Sequence, residues 1–220
     1  MPRQRPSGKP AAPQRLDFGA GIARRRSRVT GQNRGTILLP HCTGLAAATA
    51  AFGKIAAGLT AYGFKATPLQ LLSPEEAAHG YHLFDIDLLA QRIVDAVASL
   101  EGAPVGLFGH NLEAAAILVA AAQPDCAAHA LVLCNARPDL APDAPPAIRV
   151  PTLCLVEDEE LALDLNRKAL ARLGDIGELA ILPAGQAISS PETAARVTDL
   201  AAAWFAEYLP AVASNGAGVG

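Results

Sequence analysis

The stretch Leu107-Phe108-Gly109-His110-Asn111-Leu112-Glu113-Ala114-Ala115-Ala116-Ile117 decides the fold. Val105 to Phe108 is a short apolar run of the kind that forms a buried strand, and it delivers the chain to Gly109. From Leu112 to about Ala122 every residue except Glu113 is apolar and none is a helix breaker, which predicts a buried helix. A strand handed to a helix across so short a turn is the repeating unit of a parallel sheet.

The same alternation extends in both directions. Thr36 to Pro40 reads as a strand, Ala47 to Tyr62 as an Ala-rich helix ending at Gly63, and Lys65 to Leu72 as the next strand. Ser73-Pro74-Glu75-Glu76 has an N-cap Ser, a Pro at the first helical position and a Glu at the third, the pattern of a capping box. Phe84, Leu88, Leu89, Ile93, Val97 and Leu100 recur at helical spacing, so a helix is expected over Leu83 to Leu100, closed by Gly102. Ala130 to Cys134 and Pro151 to Val156 read as strands on either side of a Pro-rich loop over 138–150. A helix follows from Glu159 to Leu173 with Gly174 as its stop, then a strand from Glu178 to Leu182 and a last helix from Pro191 to Tyr208 behind Ser190. Strand and helix alternate about six times, which predicts an α/β fold: one domain with a doubly wound, mostly parallel sheet.

Composition sets the outer bounds. A hydrophobic fraction of 51% in 220 residues can fill a large core, but only 5% of residues are aromatic, so Ala, Leu and Val must do most of the filling. No run approaches the length of a membrane span, and the basic N-terminus lacks the apolar segment of a secretory signal. Cys42, Cys126, Cys134 and Cys154 are scattered without metal or disulfide spacing, which fits reduced thiols and a cytoplasmic protein. The net charge of −3 conceals an asymmetry: residues 1–34 hold nine Lys and Arg against Asp17 alone, while the remainder carries a charge of −11. Residues 1–34 are thus expected to be a basic, largely disordered arm, with some of 15–30 open to a short edge hairpin. The folded domain covers 35–210, and 211–220 form a flexible tail. The segment Arg24-Arg25-Arg26-Ser27-Arg28 could contact a polyanion, or lie as a solvated extension on the acidic domain.

These residues together resemble the α/β-hydrolase superfamily, and the small dienelactone-hydrolase-like proteins in particular. The resemblance covers about 35–209. It rests on His41-Cys42-Thr43-Gly44 after the first strand, on Leu72-Ser73-Pro74-Glu75-Glu76, and on Leu83-Phe84-Asp85-Ile86 at a helix start. It rests further on Leu107-Phe108-Gly109, Asn135-Ala136-Arg137-Pro138-Asp139-Leu140 and Pro151-Thr152-Leu153. In that family the turn after Phe108 is the nucleophile elbow, G-x-S-x-G, whose small residues relieve a crowded backbone. Here it reads Gly109, His110, Asn111, Leu112, Glu113, so the resemblance puts Asn111 in the nucleophile position and Glu113 where a second Gly is expected. It places the triad acid at Asp158 or Glu159, and it puts Gln186, in Pro183-Ala184-Gly185-Gln186, where the triad His belongs. An Asn carboxamide is not a useful nucleophile, and a Gln cannot take a proton near neutral pH. Losing either removes most of the rate enhancement of a triad.

The resemblance therefore implies a hydrolase scaffold whose chemistry is silent, acting as a binding or interaction module for a small-molecule ligand or a protein partner. Because ligands bind beyond the carboxyl ends of strands in open α/β sheets, His41, Cys42, Thr43, His110, Asn111, Asp158 and Gln186 are expected to converge into a ligand pocket. Equally, Asn111 and Gln186 could simply satisfy backbone groups in a vestigial crevice. A rival is an active hydrolase of a small ester or lactone that uses Cys42 as a relocated nucleophile beside His41 or His110. A third is a scaffold whose basic arm contacts a polyanion. His41, Cys42, His110 and Glu113 are zinc-binding types, but no spacing demands a metal, and neither a metal nor a cofactor is expected. Without a nucleophile to present, the elbow is expected to relax, with the Asn111 side chain hydrogen-bonded to neighbouring loops.

Overall fold

The computed structural model describes residues 34–42, 46–185 and 188–210. Apart from Arg34, the basic arm lies outside the described residues, as do Thr43, Gln186 and the tail 211–220. Six strands form one sheet in the order β2-β1-β3-β4-β5-β6. They are β1 (Thr36–His41), β2 (Lys65–Gln70), β3 (Val105–His110), β4 (Ala130–Cys134), β5 (Thr152–Glu157) and β6 (Gly177–Leu182). Every pairing is parallel. The helices are α1 (Ala46–Ala61), α2 (Pro74–Ala78), α3 (Ile86–Ala98), α4 (Asn111–Ala121), α5 (Glu160–Leu173) and α6 (Pro191–Tyr208).

Both faces of the sheet are covered, which is why its strands read as unbroken apolar runs. In β1 and β3, Leu38 and Leu107 face a cluster built with Leu89 and Ile93 of α3, Ile117 of α4 and Leu163 of α5. Ile37, Leu39 and Phe108 face the other way, onto Phe52 and Ile55 of α1 and Trp204 and Phe205 of α6. Glycines let helices sit close on this second face. A Cβ on Gly106 would stand 2.6 Å from the Phe205 ring, and one on Gly58 would stand 2.5 Å from a methyl of Thr198.

One helix starts later than its periodicity predicts. The run from Leu83 is apolar at helical spacing, but Tyr81–Phe84 forms a separate 3-10 turn and α3 begins at Ile86. The Asp85 carboxylate accepts the N–H of Leu88 at 3.1 Å and so caps α3 at that point. The capping box before α2 is present, with Ser73 and Glu76 satisfying each other's backbone N–H. Among the described residues no helix is long and apolar enough to cross a membrane.

The topology fixes where a ligand can enter. The chain runs outward from β1 to β2 on one side and from β3 through β6 on the other, so the strand order reverses between β1 and β3. Their pairing covers only Thr36↔Val105, Ile37↔Gly106 and Leu38↔Leu107. Beyond that the two strands part, although β1 continues to His41 and β3 to His110. Their carboxyl ends therefore flank a crevice at the reversal point, the usual ligand position in such sheets.

Candidate active-site crevice

Gly109 makes the sharp turn from β3 into α4 feasible. A Cβ there would stand 2.5 Å from Ile117 Cδ1 and 3.0 Å from the Ala114 backbone. Two residues on, Asn111 has φ of +48° and is exposed at the first position of α4. The elbow has thus kept its strained geometry, against the expectation of a relaxed turn. The carboxamide has no hydrogen-bond partner among the described residues and projects freely at the sheet edge. Asn holds a left-handed backbone at lower cost than most side chains, which lets the sharp turn form with Asn111 at its corner.

Glu113, one half-turn further along α4, crosses the crevice. Its Oε1 accepts the backbone N–H of Cys42 at 3.1 Å. Burial raises the Glu113 pKa above the usual carboxylate range, with the N–H groups it accepts pulling the other way. The thiol of Cys42 is pushed up to about 12 by burial, then by the Glu113 charge; Arg92 opposes them weakly. At neutral pH Cys42 is a protonated thiol. His110 lies half-buried with its ring 6.4 Å from that of Phe52, and burial lowers its pKa to about 4. Burial lowers His41 as well. Both histidines are therefore neutral. Among the described residues no group of three or more His, Cys, Asp and Glu is placed to hold a metal.

The acids after β5 are divided among three roles. Glu159 caps α5, its carboxylate accepting the N–H of Ala162 at 2.9 Å and of Leu161 at 3.4 Å. Asp158 is exposed; its N–H donates to the Leu182 carbonyl at 2.9 Å, and its side chain has no partner among the described residues. Glu157, the last residue of β5, pairs with Asn135, a contact the sequence did not disclose. Asn135 Nδ2 donates to Glu157 Oε1 at 2.8 Å, and the Glu157 N–H donates to Asn135 Oδ1 at 2.9 Å. Asn135 also has positive φ, +46°. Since His110 and Cys134 are register partners, Asn111 and Asn135 follow adjacent strands at equivalent positions. Behind this clamp the buried Asn166 of α5 donates to the Ala136 carbonyl at 3.2 Å. The only sequence signal for the pair is an Asn just past a strand and before a Pro-containing turn.

Cys42 and Glu113 meet across the gap between β1 and β3, and His41, His110 and Asn111 stand at the carboxyl ends of the same two strands. Asp158 stands past β5, two strands from Asn111, about 10 Å along the sheet. A separate groove of about 590 Å³ lies at the end of β2, lined by Leu69 to Pro74 together with Glu76, Arg92 and Asp95.

No family model matches the chain. A crystal structure of dienelactone hydrolase from Anabaena variabilis superposes with a TM-score of 0.73 at 31% identity, over 82% of this chain and 89% of that one. An α/β serine hydrolase homologue from Coxiella burnetii superposes with a TM-score of 0.64 over 80% of this chain and 88% of that one, and at 13% identity it speaks to the fold alone. Among curated proteins, a protein of two strains of Mycobacterium tuberculosis with a provisional phosphoribosyl transferase name is 35% identical over 184 residues, 80% of this chain. The chain spans only 42% of the length of those relatives. The chain belongs to the dienelactone-hydrolase-like proteins of the α/β-hydrolase superfamily.

Proposed function

We propose that the protein is a catalytically silent hydrolase scaffold whose crevice binds a small molecule or a partner. The observation that carries this reading is the carboxylate of Glu113 on the N–H of Cys42. In this fold a backbone N–H from the loop after the first strand of the domain helps stabilise the oxyanion of acyl transfer. Such a donor supplies about 3–4 kcal/mol of transition-state stabilisation. Here it is engaged by an anion of the chain itself. A developing oxyanion about 4 Å from that carboxylate would be opposed by roughly the same amount in a half-buried site. Asn111 in place of the nucleophile adds to this, as does Gln186 where the general base belongs.

The rival hydrolase built on Cys42 is disfavoured by a thiol held near 12. A polyanion contact through residues 1–34 is supported by their charge alone. The curated relatives are named for a phosphoribosyl transferase and this chain spans 42% of their length; Glu113 and Asp158 disfavour phosphate recognition in this crevice, since a phosphate wants exposed N–H groups and cations. Four free cysteines suit the cytoplasm.

The test uses the full chain with a fluorophosphonate probe, iodoacetamide and a set of small esters and lactones. The expected result is no serine labelling, slow alkylation of Cys42 and hydrolysis no faster than in buffer. Labelling of any serine, or a burst of product equal to the enzyme concentration, would overturn the reading.

A further inference from the structure

The N–H of Cys42 that meets Glu113 follows a stretch of β1 held by the sheet from one side only. Beyond Leu38, β1 has no register partner in β3, so Leu39, Pro40 and His41 rest on β2 alone. The last bond of that pairing runs from the Leu71 N–H to the His41 carbonyl, at 2.9 Å. Cys42 comes next in the chain. Because β2 is the outermost strand on this side of the described sheet, whatever fixes Leu71 also fixes where the Cys42 N–H points.

Leu71 is fixed by a guanidinium from α3. Arg92 Nη1 donates to the Leu71 carbonyl. The same nitrogen donates to Glu76 Oε2 at 2.7 Å, and Nη2 donates to Glu76 Oε1 at 2.6 Å. Glu76 Oε2 in turn accepts the N–H of Ser73 at 2.8 Å. Arg92 thereby ties both sides of the turn from β2 into α2 to one turn of α3. Leu89 and Ile93, both fully buried, hold that turn of α3 in the core. The buried side chains of Leu71 and Leu72 keep the β2 end against the core as well. Apolar burial is non-directional, however, and does not aim a carbonyl, whereas a charge-assisted fork does.

We propose that Arg92 is a positioning residue for the crevice, acting through Leu71 and His41 to hold the Cys42 N–H on the Glu113 carboxylate. Glu76 locks the guanidinium in the orientation that this requires. The role depends on the Cys42–Glu113 contact alone, so turnover of an ester, which would end the silent reading, would leave it standing.

Amide hydrogen exchange in the full-length protein tests the role, with the buried Val132 and Leu133 of β4 reporting that the core stays folded. Arg92→Met should speed exchange at Cys42 at least about tenfold and leave Val132 and Leu133 unchanged. In a Glu113→Ala background the Cys42 N–H has no carboxylate to be held on, so the same substitution should change its exchange by less than about twofold. Equal acceleration in both backgrounds would reveal general loosening and overturn the proposal, as would an unchanged Cys42 amide in Arg92→Met. Arg92→Lys keeps the charge but loses the planar fork, so Cys42 exchange should rise in it too, by at least about threefold. A Lys variant that matches the wild type would overturn the proposal by showing that the charge alone suffices. If Arg92→Met loses protection at Val132 and Leu133, the Lys variant decides in both backgrounds.

Discussion

Asn111 and Glu113 differ in how much of their role the sequence disclosed. That Asn111 stands at the turn from β3 into α4 was legible, because Gly109 and the Ala-rich helix fix the register of the turn. Its strain was not, since a turn read as presenting no nucleophile gives no functional reason to expect φ of +48°. The Cβ space at Gly109 supplies the reason: the strand and helix are packed too closely for a wider turn. Asn111→Gly should therefore be close to neutral, while Asn111→Val should lose about 1–3 kcal/mol in urea unfolding. Equal stability of the two variants would place residue 111 outside the left-handed region. The partner of Glu113 was hidden as well, because nothing in a sequence shows a helix carboxylate reaching a backbone N–H 71 positions away. Replacing it by Glu113→Gln removes a charge that raises the Cys42 thiol. Each unit of lowered thiol pKa multiplies the thiolate about tenfold. Iodoacetamide should thus label Cys42 faster in the variant, though still more slowly than a free thiol, since burial is the larger cause. An unchanged rate would show that the Glu113 charge does not reach the sulfur.

At the scale of elements, strands and helices were legible wherever apolar periodicity was unbroken. Six strands and their parallel winding followed from short Val-, Leu- and Ile-rich runs between capped helices. The start of α3 was misplaced because apolar spacing continues through Tyr81–Phe84, and only the side-chain bond of Asp85 sets the true boundary. Long-range polar clamps escaped for a similar reason. Asn135 ties the end of β4 to the end of β5 through Glu157, and an Asn before a Pro-containing turn does not by itself name its partner. Two variants separate its backbone role from its side-chain role. Asn135→Gly keeps the left-handed turn and loses the clamp, leaving the half-buried Glu157 with fewer donors, a cost of about 1–3 kcal/mol. Asn135→Ala loses both and should be less stable by about a further 1 kcal/mol. Thermal unfolding of the pair checks this; a Gly variant as stable as wild type would show that the clamp contributes nothing.

For the whole molecule, the acid response should be set by groups enclosed on folding. His110 is neutral in the crevice, its pKa lowered from the ordinary 6.5 to about 4. Between those values the unfolded chain binds a proton that the folded protein refuses. Its contribution is therefore fully present above pH 6.5 and is lost as pH falls toward 4, on the order of 2 kcal/mol once partial contact with water is allowed for. Glu113 acts with the opposite sign. Its folded pKa lies above the ordinary 4.5, so its contribution is present below 4.5 and is lost as pH rises through the folded value. The lowered carboxyls of Glu76 and Asp139 respond below both, as pH falls under their ordinary values of 4.5 and 3.8. In the window from pH 6.5 to 4.5 the wild type should thus show a muted loss of stability, with the two crevice groups partly offsetting each other. His110→Gln should remove that loss or reverse it, and Glu113→Gln should deepen it. Urea unfolding midpoints at pH 7.0, 5.5 and 4.5 for the three proteins supply the measurement. Parallel pH profiles would mean that neither group is enclosed as the fold places it, and would undo the account of a crevice holding neutral histidines beside a carboxylate.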